Sequence, residues 1–313
     1  MPPDPVPSPE CFAVEAPAKI NLWLRVLGRR SDGFHEVETR LAPVGLSDRL
    51  SLQRDEALGA GEIALSCDDP TVPGDESNLV VKAMRALEAT TGRLPGLRIH
   101  LEKRIPHGAG LGGGSSDAAA ALRLAEAALG LDLPPGALQA AAAAVGSDVP
   151  FFLLGQVADA RGRGEQVVAV PAFTAAARLL LVKLPFGVST PWAYRQWRDS
   201  LELDGLPYGP QASEWGELRN DLERPVFEKY QVLGHLKAAL LGAEGVSAAL
   251  MSGSGSTVMA FLQEGADAAA ARAAVYAEVG AEVQLFETEL APGLRPIQRG
   301  RAQAALRWGH FGG

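Results

Sequence analysis

The sequence predicts a mixed α and β protein whose strands and helices fall into two successive groups. Strand and helix patterns follow one another from Phe12 to about residue 170, and a compact apolar strand at Arg178–Leu184 starts a second group. The 313 residues are enough for one large domain or two ordinary ones. Hydrophobic residues make up 47% and charged residues 21% of the chain, a composition typical of soluble globular proteins.

Charge, cysteine content and the N-terminal segment narrow the classes of function. The formal net charge is −8, and an acidic chain is a poor general binder of nucleic acid polymers because phosphate backbones need clustered Lys and Arg. Cys11 and Cys67 belong to no CxxC pair, which argues against a zinc site and a disulfide framework. The Pro-rich start lacks the features of a secretion signal, and no apolar run approaches the ~18 residues of a membrane helix. We therefore expect a cytoplasmic protein with no membrane span.

The first group opens with strand patterns at Phe12–Leu27 and Val37–Leu52, on either side of a turn signal at Arg29–Gly33. Apolar residues near 3.6-residue spacing predict a helix at Asn78–Thr91, with Ser77 or Asn78 as its N-cap. Residues 1–11 are predicted to be a flexible tail, because five prolines in the first ten residues oppose both helix and sheet.

A glycine-rich loop between a strand and a helix is the most informative feature of the sequence. Leu97–Leu101 alternates as a strand, and Ser115 begins an Ala-rich helix that ends at Gly130. Glycine permits positive φ and lets a phosphate approach the backbone, and the first amides of the helix favour an anion. The Ser115 and Ser116 hydroxyls can bind phosphate oxygens or a phosphate-bound Mg²⁺. The predicted nucleotide contacts in this loop are Pro106, Gly108, Ala109, Gly110, Leu111, Gly112, Gly113, Gly114, Ser115 and Ser116.

Three other interpretations of the loop fit less well. A flexible glycine linker does not usually lie between a strand and a well-capped helix. The Walker pattern GxxxxGK[ST] is absent, since no Gly-Lys follows the loop. Gly108-x-Gly110-x-x-Gly113 matches the dinucleotide pattern GxGxxG, but Pro106 separates the glycines from the strand. The acidic residue about 20 positions on, Glu126, lies inside a helix instead of at the end of a second strand.

The second group places two strands around a second glycine turn. These strands are predicted at Val246–Met251 and Thr257–Leu262 and are joined by Ser-Gly-Ser-Gly-Ser. The other predicted elements are helices at Pro191–Leu201, Leu222–Leu241 and Ala266–Val279 and a last strand at Glu282–Leu290. Residues 292–313 form a tail to which the pattern assigns no role.

Three segments, in their order and separation, together resemble the kinase family named for galactose, homoserine, mevalonate and phosphomevalonate (GHMP). They are Ala16–Leu22, the glycine loop at Pro106–Asp117, and Met251–Thr257. The resemblance covers roughly residues 12–290. Further segments narrow it to members whose acceptor carries a cytidine diphosphate, namely Arg29–His35, Gly146–Phe152, Gly187–Pro191 and Asn220–Glu223.

The resemblance implies an α+β, two-domain GHMP kinase fold. An ATP-binding and catalytic domain of the ribosomal-protein-S5-like kind would span residues 12–171, and a ferredoxin-like domain on the substrate side would span residues 172–291. The resemblance also implies ATP and Mg²⁺ as cofactors. The implied reaction is phosphorylation of the 2-hydroxyl of diphosphocytidyl-methylerythritol in the non-mevalonate isoprenoid pathway. The protein ligands of Mg²⁺ and the choice between monomer and homodimer stay open.

The resemblance assigns catalysis to Asp148 as general base with Lys19 as its partner. A carboxylate can accept the hydroxyl proton as the bond to phosphorus forms, and a nearby cation favours its ionised state. From the residues alone, Asp148 fits equally a turn or cap before a buried Phe151–Phe152 strand, and Lys19 fits the polar face of a strand. Asn21 lies two residues after Lys19 and shares its face of the strand.

The resemblance also implies a site for the cytosine base. It places Phe34 against one face of the base, His35 at its polar edge and Tyr194 on the other face, with Trp192 as a competitor of Tyr194. An aromatic ring contributes ~1–3 kcal/mol per stacked base, whereas a core Phe and a surface His are the ordinary alternative. The other predicted substrate contacts are Asn21, Asp148, Thr190, Gly253 and Ser254. The glycine turn at 253–255 also fits a hairpin without a ligand.

Asn78 and Lys103 resemble nucleotide contacts near the adenine and the phosphates, with a helix cap and an exposed charge as their alternatives. Asn220–Asp221 is predicted to cap the helix that follows. Two rival functions remain. Another GHMP kinase, for homoserine or a mevalonate derivative, would not need the cytosine site. A non-catalytic nucleotide-binding module would not need both Lys19 and Asp148.

Overall fold

The computed structural model describes residues 10–170, 173 and 177–301. Within them the strands are β1 (Glu10–Arg29), β2 (His35–Arg54), β3 (Ile63–Cys67), β4 (Leu97–Glu102), β5 (Ala158–Arg161), β6 (Gln166–Ala169), β7 (Arg178–Lys183), β8 (Gln211–Ser213), β9 (Gly216–Asn220), β10 (Val246–Met251), β11 (Thr257–Leu262), β12 (Gln284–Glu289) and β13 (Gln298–Arg301). The helices are α1 (Leu79–Thr91), α2 (Gly113–Leu129), α3 (Ala137–Val145), α4 (Val149–Leu154), α5 (Thr190–Gln196), α6 (Glu223–Lys229), α7 (Gln231–Leu241) and α8 (Ala269–Val279).

The larger sheet is built around the long antiparallel hairpin of β1 and β2. Its strand order is β3-β4-β2-β1-β9-β8, with β13 also paired to β1, β5 to β2 and β6 to β5. Residues from α1, α2, α3 and α4 share one buried cluster with β2 and β4, including Leu52, Met84 and Ile99. Burial of these apolar side chains stabilises the helices on one face of the sheet.

Strand β1 is irregular where it passes the glycine loop. Its register against β2 shifts between Pro17 and Lys19 and again between Asn21 and Trp23. Pro17 has no N–H for a ladder hydrogen bond, and the Lys19 N–H donates instead to the Leu111 carbonyl of the glycine loop at 2.9 Å. The bulged strand is therefore bonded directly to the loop.

The smaller sheet has the order β10-β11-β7-β12 and is antiparallel throughout. Residues of α6, α7 and α8 join its strands in a second buried cluster. A third cluster lies between the two sheets and contains Ile20 and Leu22 of β1 with Leu250 and Phe261 of the smaller sheet. Through this packing, β1 and the turn after β10 meet next to the glycine loop.

Several predicted elements are confirmed. Asn78 caps α1 by accepting a hydrogen bond from the Val80 N–H at 2.9 Å, and α2 ends at Gly130 in the left-handed conformation. Two predictions are wrong. The helix expected at 222–241 is interrupted at Tyr230, whose backbone (φ −121°, ψ 67°) is not helical. The helix expected to reach residue 201 ends at Gln196. The strand that the alternative interpretation of Asp148 placed at Phe151–Phe152 is absent, because both residues lie in α4.

The predicted division of the chain near residue 171 stays a proposal. Strands β8, β9 and β13 come after that position but belong to the larger sheet. The C-terminal tail therefore has a structural role in part, since Arg299 of β13 pairs with Phe12 of β1. Residues 1–9 and 302–313 lie outside the described part of the chain. No helix among the described residues is long and apolar enough to cross a membrane.

Candidate active site

A cleft of about 1020 Å³ lies where β1, the glycine loop, α4, α5 and the turn after β10 meet. Every predicted site residue lines this cleft except Ser116, which is buried below the glycine loop. Residues that sequence reasoning did not single out also line it, including Thr71, Arg163 and Arg195. No motif marks those positions, because each reaches the cleft only through the tertiary fold.

The glycine loop is packed so closely that two of its positions require glycine. Gly110 and Gly112 have φ of +76° and +71°. A Cβ at Gly110 would lie 2.2 Å from the Ser252 carbonyl oxygen, and one at Gly112 would lie 2.9 Å from the Phe152 ring. Helix α2 begins at Gly113 without a side-chain cap, so its first amide groups are available to an anion.

Lys19 is buried in the cleft, with only 4% of its surface exposed. Its ammonium donates to the Asn21 Oδ1 at 2.7 Å and to the Gly110 carbonyl at 2.9 Å. Burial lowers the pKa of Lys19, and the negative charge of Asp148 opposes that shift. The arrangement confirms that Lys19 and Asn21 share a face of β1, and it joins the ammonium to the glycine loop.

Asp148 occupies the N-cap position of α4, but its side chain makes no capping hydrogen bond. No ion pair within 4.0 Å is formed by Asp148 among the described residues. Its carboxylate lies near Gly164, where an added Cβ would be 3.8 Å from Oδ1. A cleft-lining carboxylate that neither caps a helix nor pairs with a cation is available to accept a proton. Its catalytic role stays a prediction.

Lys103 is not the exposed charge that the alternative interpretation described. Its ammonium forms an ion pair with Asp48 and a second one, at 2.9 Å, with Asp117. Burial opposes the charged form, but the two carboxylates outweigh burial and raise the pKa of Lys103. Asp48 also accepts hydrogen bonds from the Arg104 and Ile105 N–H groups at 2.6 and 2.8 Å. This cluster ties β2 to the start of α2 beneath the loop.

Asn78 is the helix cap, one of the two alternatives that the sequence left open, and its contact with a nucleotide stays a prediction. It is the N-cap of α1, and its side chain also donates to the Pro73 carbonyl at 2.7 Å. Asn78 lines the cleft together with Thr71, Val72 and Pro73 of the preceding loop. This loop therefore bounds the end of the cleft that lies beside the start of α2.

Aromatic side chains gather at the tip of the β1–β2 hairpin. Phe34 is 51% exposed, and the Arg163 guanidinium lies 4.8 Å from the centre of its ring. His35 and Tyr194 stack with ring centres 5.4 Å apart. Burial lowers the pKa of His35 and raises that of Tyr194. Trp192 packs edge-on against Tyr230 and does not line the cleft. Tyr194 is therefore the aromatic residue of α5 that faces the cleft.

The second glycine turn is not an isolated hairpin. A Cβ at Gly253 would lie 3.2 Å from the Lys19 ammonium and 3.3 Å from the Asn21 Oδ1. Ser254 shares a hydrogen bond of 2.7 Å with Thr190 at the start of α5. The turn thus lines the cleft directly beside the first glycine loop.

Comparisons with known proteins agree with this geometry. The model of the GHMP kinases N terminal domain matches residues 78–156, and that of the GHMP kinases C terminal domain matches residues 210–282. A 4-diphosphocytidyl-2-C-methyl-D-erythritol kinase of Methylacidiphilum infernorum (isolate V4) is 42% identical over 249 residues, covering 80% of this chain and 85% of that protein. The protein of the same name from Synechococcus sp. (strain JA-2-3B'a(2-13)) is 40% identical over 295 residues, covering 88% and 93%.

A solved structure supports the same relationship. The crystal structure of a 4-(cytidine 5'-diphospho)-2C-methyl-D-erythritol kinase superposes with a TM-score of 0.70 at 34% identity, covering 90% of this chain and all of that one. The predicted GHMP kinase fold is confirmed. With identities of about 40% over most of both chains, this chain belongs to the family of the 4-diphosphocytidyl-2-C-methyl-D-erythritol kinases, within the GHMP kinases.

Proposed function

We propose that the protein transfers the γ-phosphoryl group of ATP to the 2-hydroxyl of 4-diphosphocytidyl-2-C-methyl-D-erythritol, giving the 2-phosphate and ADP. The observation that carries this proposal is the meeting of three features in one cleft of about 1020 Å³. They are the uncapped start of α2, the buried ammonium of Lys19, and a carboxylate, Asp148, free of capping and of ion pairs in the described structure. The names of the relatives supply the acceptor.

In the proposed step, the acceptor oxygen forms a bond to the γ-phosphorus while the bond from that phosphorus to the β,γ-bridging oxygen breaks. The bridging oxygen leaves on ADP with the electron pair, and Asp148 accepts the proton of the hydroxyl. Such a transfer needs mainly positioning and compensation of charge. Lys19 supplies a fixed positive charge, since its ammonium is held by Asn21 and Gly110 at 2.7 and 2.9 Å.

Mg²⁺ is part of the proposal. Among the described residues no group of three His, Cys, Asp or Glu side chains could hold a metal ion, which favours an ion that arrives with ATP. The oxygens that fit it at the start of α2 are the Ser115 hydroxyl and the Asp117 carboxylate, whose Oδ1 is buried without a hydrogen-bond partner. When bound, Mg²⁺ neutralises charge on the phosphates.

Recognition of the acceptor is proposed to lie at the aromatic end of the cleft. Phe34 offers half of its surface to a ligand, and Tyr194 and His35 line the same region. Base stacking of this kind contributes ~1–3 kcal/mol. A homoserine or mevalonate acceptor has no base to place there, so this end favours the cytidine-bearing acceptor. Since ATP is a cytoplasmic metabolite, we also propose a cytoplasmic location.

The test is a coupled assay of ADP release with Mg-ATP and three separate acceptors: diphosphocytidyl-methylerythritol, homoserine and mevalonate. We expect turnover with the cytidine acceptor alone. Turnover with homoserine or mevalonate instead would contradict the assignment of the aromatic end, and no turnover with any acceptor would favour a nucleotide-binding module without catalysis.

A further inference from the structure

We propose that Asn220 and Glu223 are positioning residues of the phosphoryl-transfer site, which they serve by holding the second glycine turn against Lys19 and the first glycine loop. Neither side chain is needed as a ligand contact for this role. The expected loss of turnover rests on the proposed function. The claim that these residues hold the turn rests on the hydrogen bonds alone.

The side chain of Asn220 is bonded on all sides within the protein. Its Nδ2 donates to the Met251 and Gly253 carbonyls, each at 2.7 Å, and its Oδ1 accepts from the Leu222 N–H at 2.9 Å. Asn220 is 6% exposed, so no solvent competes for these bonds. The cap expected from the sequence is not formed, since the N-cap of α6 is Leu222 and has no side-chain bond, and the Asn220 Oδ1 instead closes the turn before the helix. Its two donors hold the backbone on both sides of Ser252.

Glu223, at the other end of the segment Asn220–Glu223, also bonds the backbone of Met251. Its Oε1 accepts a hydrogen bond from the Met251 N–H at 2.9 Å, and its Oε2 pairs with the Lys237 ammonium at 2.7 Å. Both side chains are almost completely buried, with 2% and 0% exposure. A buried ion pair of this kind is a weak source of net stability, and fixing one geometry is a better-supported role for it.

The turn that these residues hold is in direct contact with the reacting end of the cleft. The Ser252 hydroxyl donates to the Gly110 carbonyl at 3.1 Å, the same oxygen that accepts from the Lys19 ammonium at 2.9 Å. Gly253 packs so closely that an added Cβ would be 3.2 Å from that ammonium. A displacement of the turn would therefore move the Lys19 charge and the loop carbonyl together.

Strand β1 is tied to the same motif. Asp221 accepts a hydrogen bond from the Val26 N–H at 2.9 Å, and its own N–H donates to the Leu24 carbonyl at 3.0 Å. Lys19 and Asn21 lie on this strand. The segment Asn220–Glu223 thus forms hydrogen bonds to β1, which carries Lys19, and also to the second glycine turn.

Asn220→Asp separates the bonds to the second glycine turn from the bond to the Leu222 N–H. The carboxylate keeps an acceptor for the Leu222 N–H but loses both donors to the turn. We expect kcat with the cytidine acceptor to fall by at least about 10-fold, because misplacement of reacting groups by about 1 Å costs up to about 100-fold. The Kd of ATP, measured by titration without acceptor, should change by less than about 3-fold, because the amides at the start of α2 are not held by Asn220.

Gln211→Glu is the matched control. Gln211 also bonds β10, donating to the Ala249 carbonyl at 2.7 Å and accepting from the Ala249 N–H at 3.1 Å. Ala249 lies two residues before Met251, the last residue of β10. This substitution makes the same chemical change on the same strand, away from the turn. We expect kcat to stay within about 2-fold of the unsubstituted protein. Lowering the pH should raise the relative kcat of the Asn220→Asp variant, because a protonated carboxyl regains one donor.

Hydrogen exchange gives a readout that does not depend on turnover. Peptides that span residues 106–114 and 251–257 should exchange faster in Asn220→Asp than in Gln211→Glu. An Asn220→Asp protein with unchanged kcat and unchanged exchange would overturn the inference, as would equal kcat losses in the two variants. An unsubstituted protein that fails to turn over would contradict the proposed function, and the exchange data would then decide the inference separately.

Discussion

Replacing Lys237 by Met should unfold the protein more easily, by an amount that depends on pH. Lys237 is fully buried and its ammonium lies 2.7 Å from the Glu223 carboxylate, itself 2% exposed. Removing one partner of such a pair leaves a buried charge without compensation, which costs about 3–5 kcal/mol in free energy of unfolding. We expect a loss of this size at pH 7.

The pH dependence follows from Glu223. Burial raises the pKa of Glu223 above its ordinary value of 4.5, and removing the Lys237 charge removes a cause that lowers it. A carboxyl whose folded pKa lies above its unfolded pKa binds more protons when folded, so its favourable contribution is lost as pH rises through the folded pKa. Between the folded pKa of Glu223 in the unsubstituted protein and its higher folded pKa in the Lys237→Met protein, the variant should lose about 1.4 kcal/mol per pH unit relative to the unsubstituted one.

Urea unfolding at pH 5 and pH 7 measures both effects. The double change Glu223→Gln with Lys237→Met keeps an acceptor for the Met251 N–H, so its stability should return to within about 1 kcal/mol without the pH slope. The surface pair Arg272–Glu287, at 2.6 Å with both side chains about 40% exposed, is the control, and Arg272→Met should cost less than about 1 kcal/mol. A loss below about 1 kcal/mol at pH 7 for Lys237→Met, or one that does not vary with pH, would refute the reasoning.

Three further predictions concern the cleft. Gly110→Ala should abolish measurable ATP binding, because its φ of +76° is strained for Ala and the new Cβ would lie 2.2 Å from the Ser252 carbonyl oxygen. Gly130→Ala is the control and should bind ATP normally, because its φ of +59° is also strained but the new Cβ would have no atom within 4 Å. Asp148→Asn should lower kcat by about 10²–10⁴-fold while the Kd of ATP is retained, and a fall below about 5-fold would exclude it as general base. Phe34→Ala should raise the KM of the cytidine acceptor by about 5- to 100-fold from lost stacking with the KM of ATP unchanged, and equal effects on both would exclude a base-specific role.

Features governed by local backbone preferences were predictable from the sequence. The glycine loop and the helix after it followed from glycines that precede a run of good helix formers. A cap at Ser77 or Asn78 followed from polar side chains at the start of an apolar period, and the structure has it at Asn78. The shared face of Lys19 and Asn21 followed from the two-residue period of a strand. The break in the helix at Tyr230 could not be predicted, because the apolar period of residues 222–241 continues across it.

Partner choice between distant segments depended on the tertiary structure. The sequence shows Lys103 as an isolated charge, yet the fold encloses it between Asp48 and Asp117. It suggests Asn220 as a helix cap, yet packing of the two sheets brings the Met251 and Gly253 carbonyls to the two donors of its Nδ2, and α6 has no side-chain cap. By itself the sequence determined the local backbone, the family and the residue types of the cleft. The pairing of those residues was decided only when β1, the glycine loop and the turn after β10 were packed together, because hydrogen bonds and ion pairs form by distance in space and not by spacing along the chain.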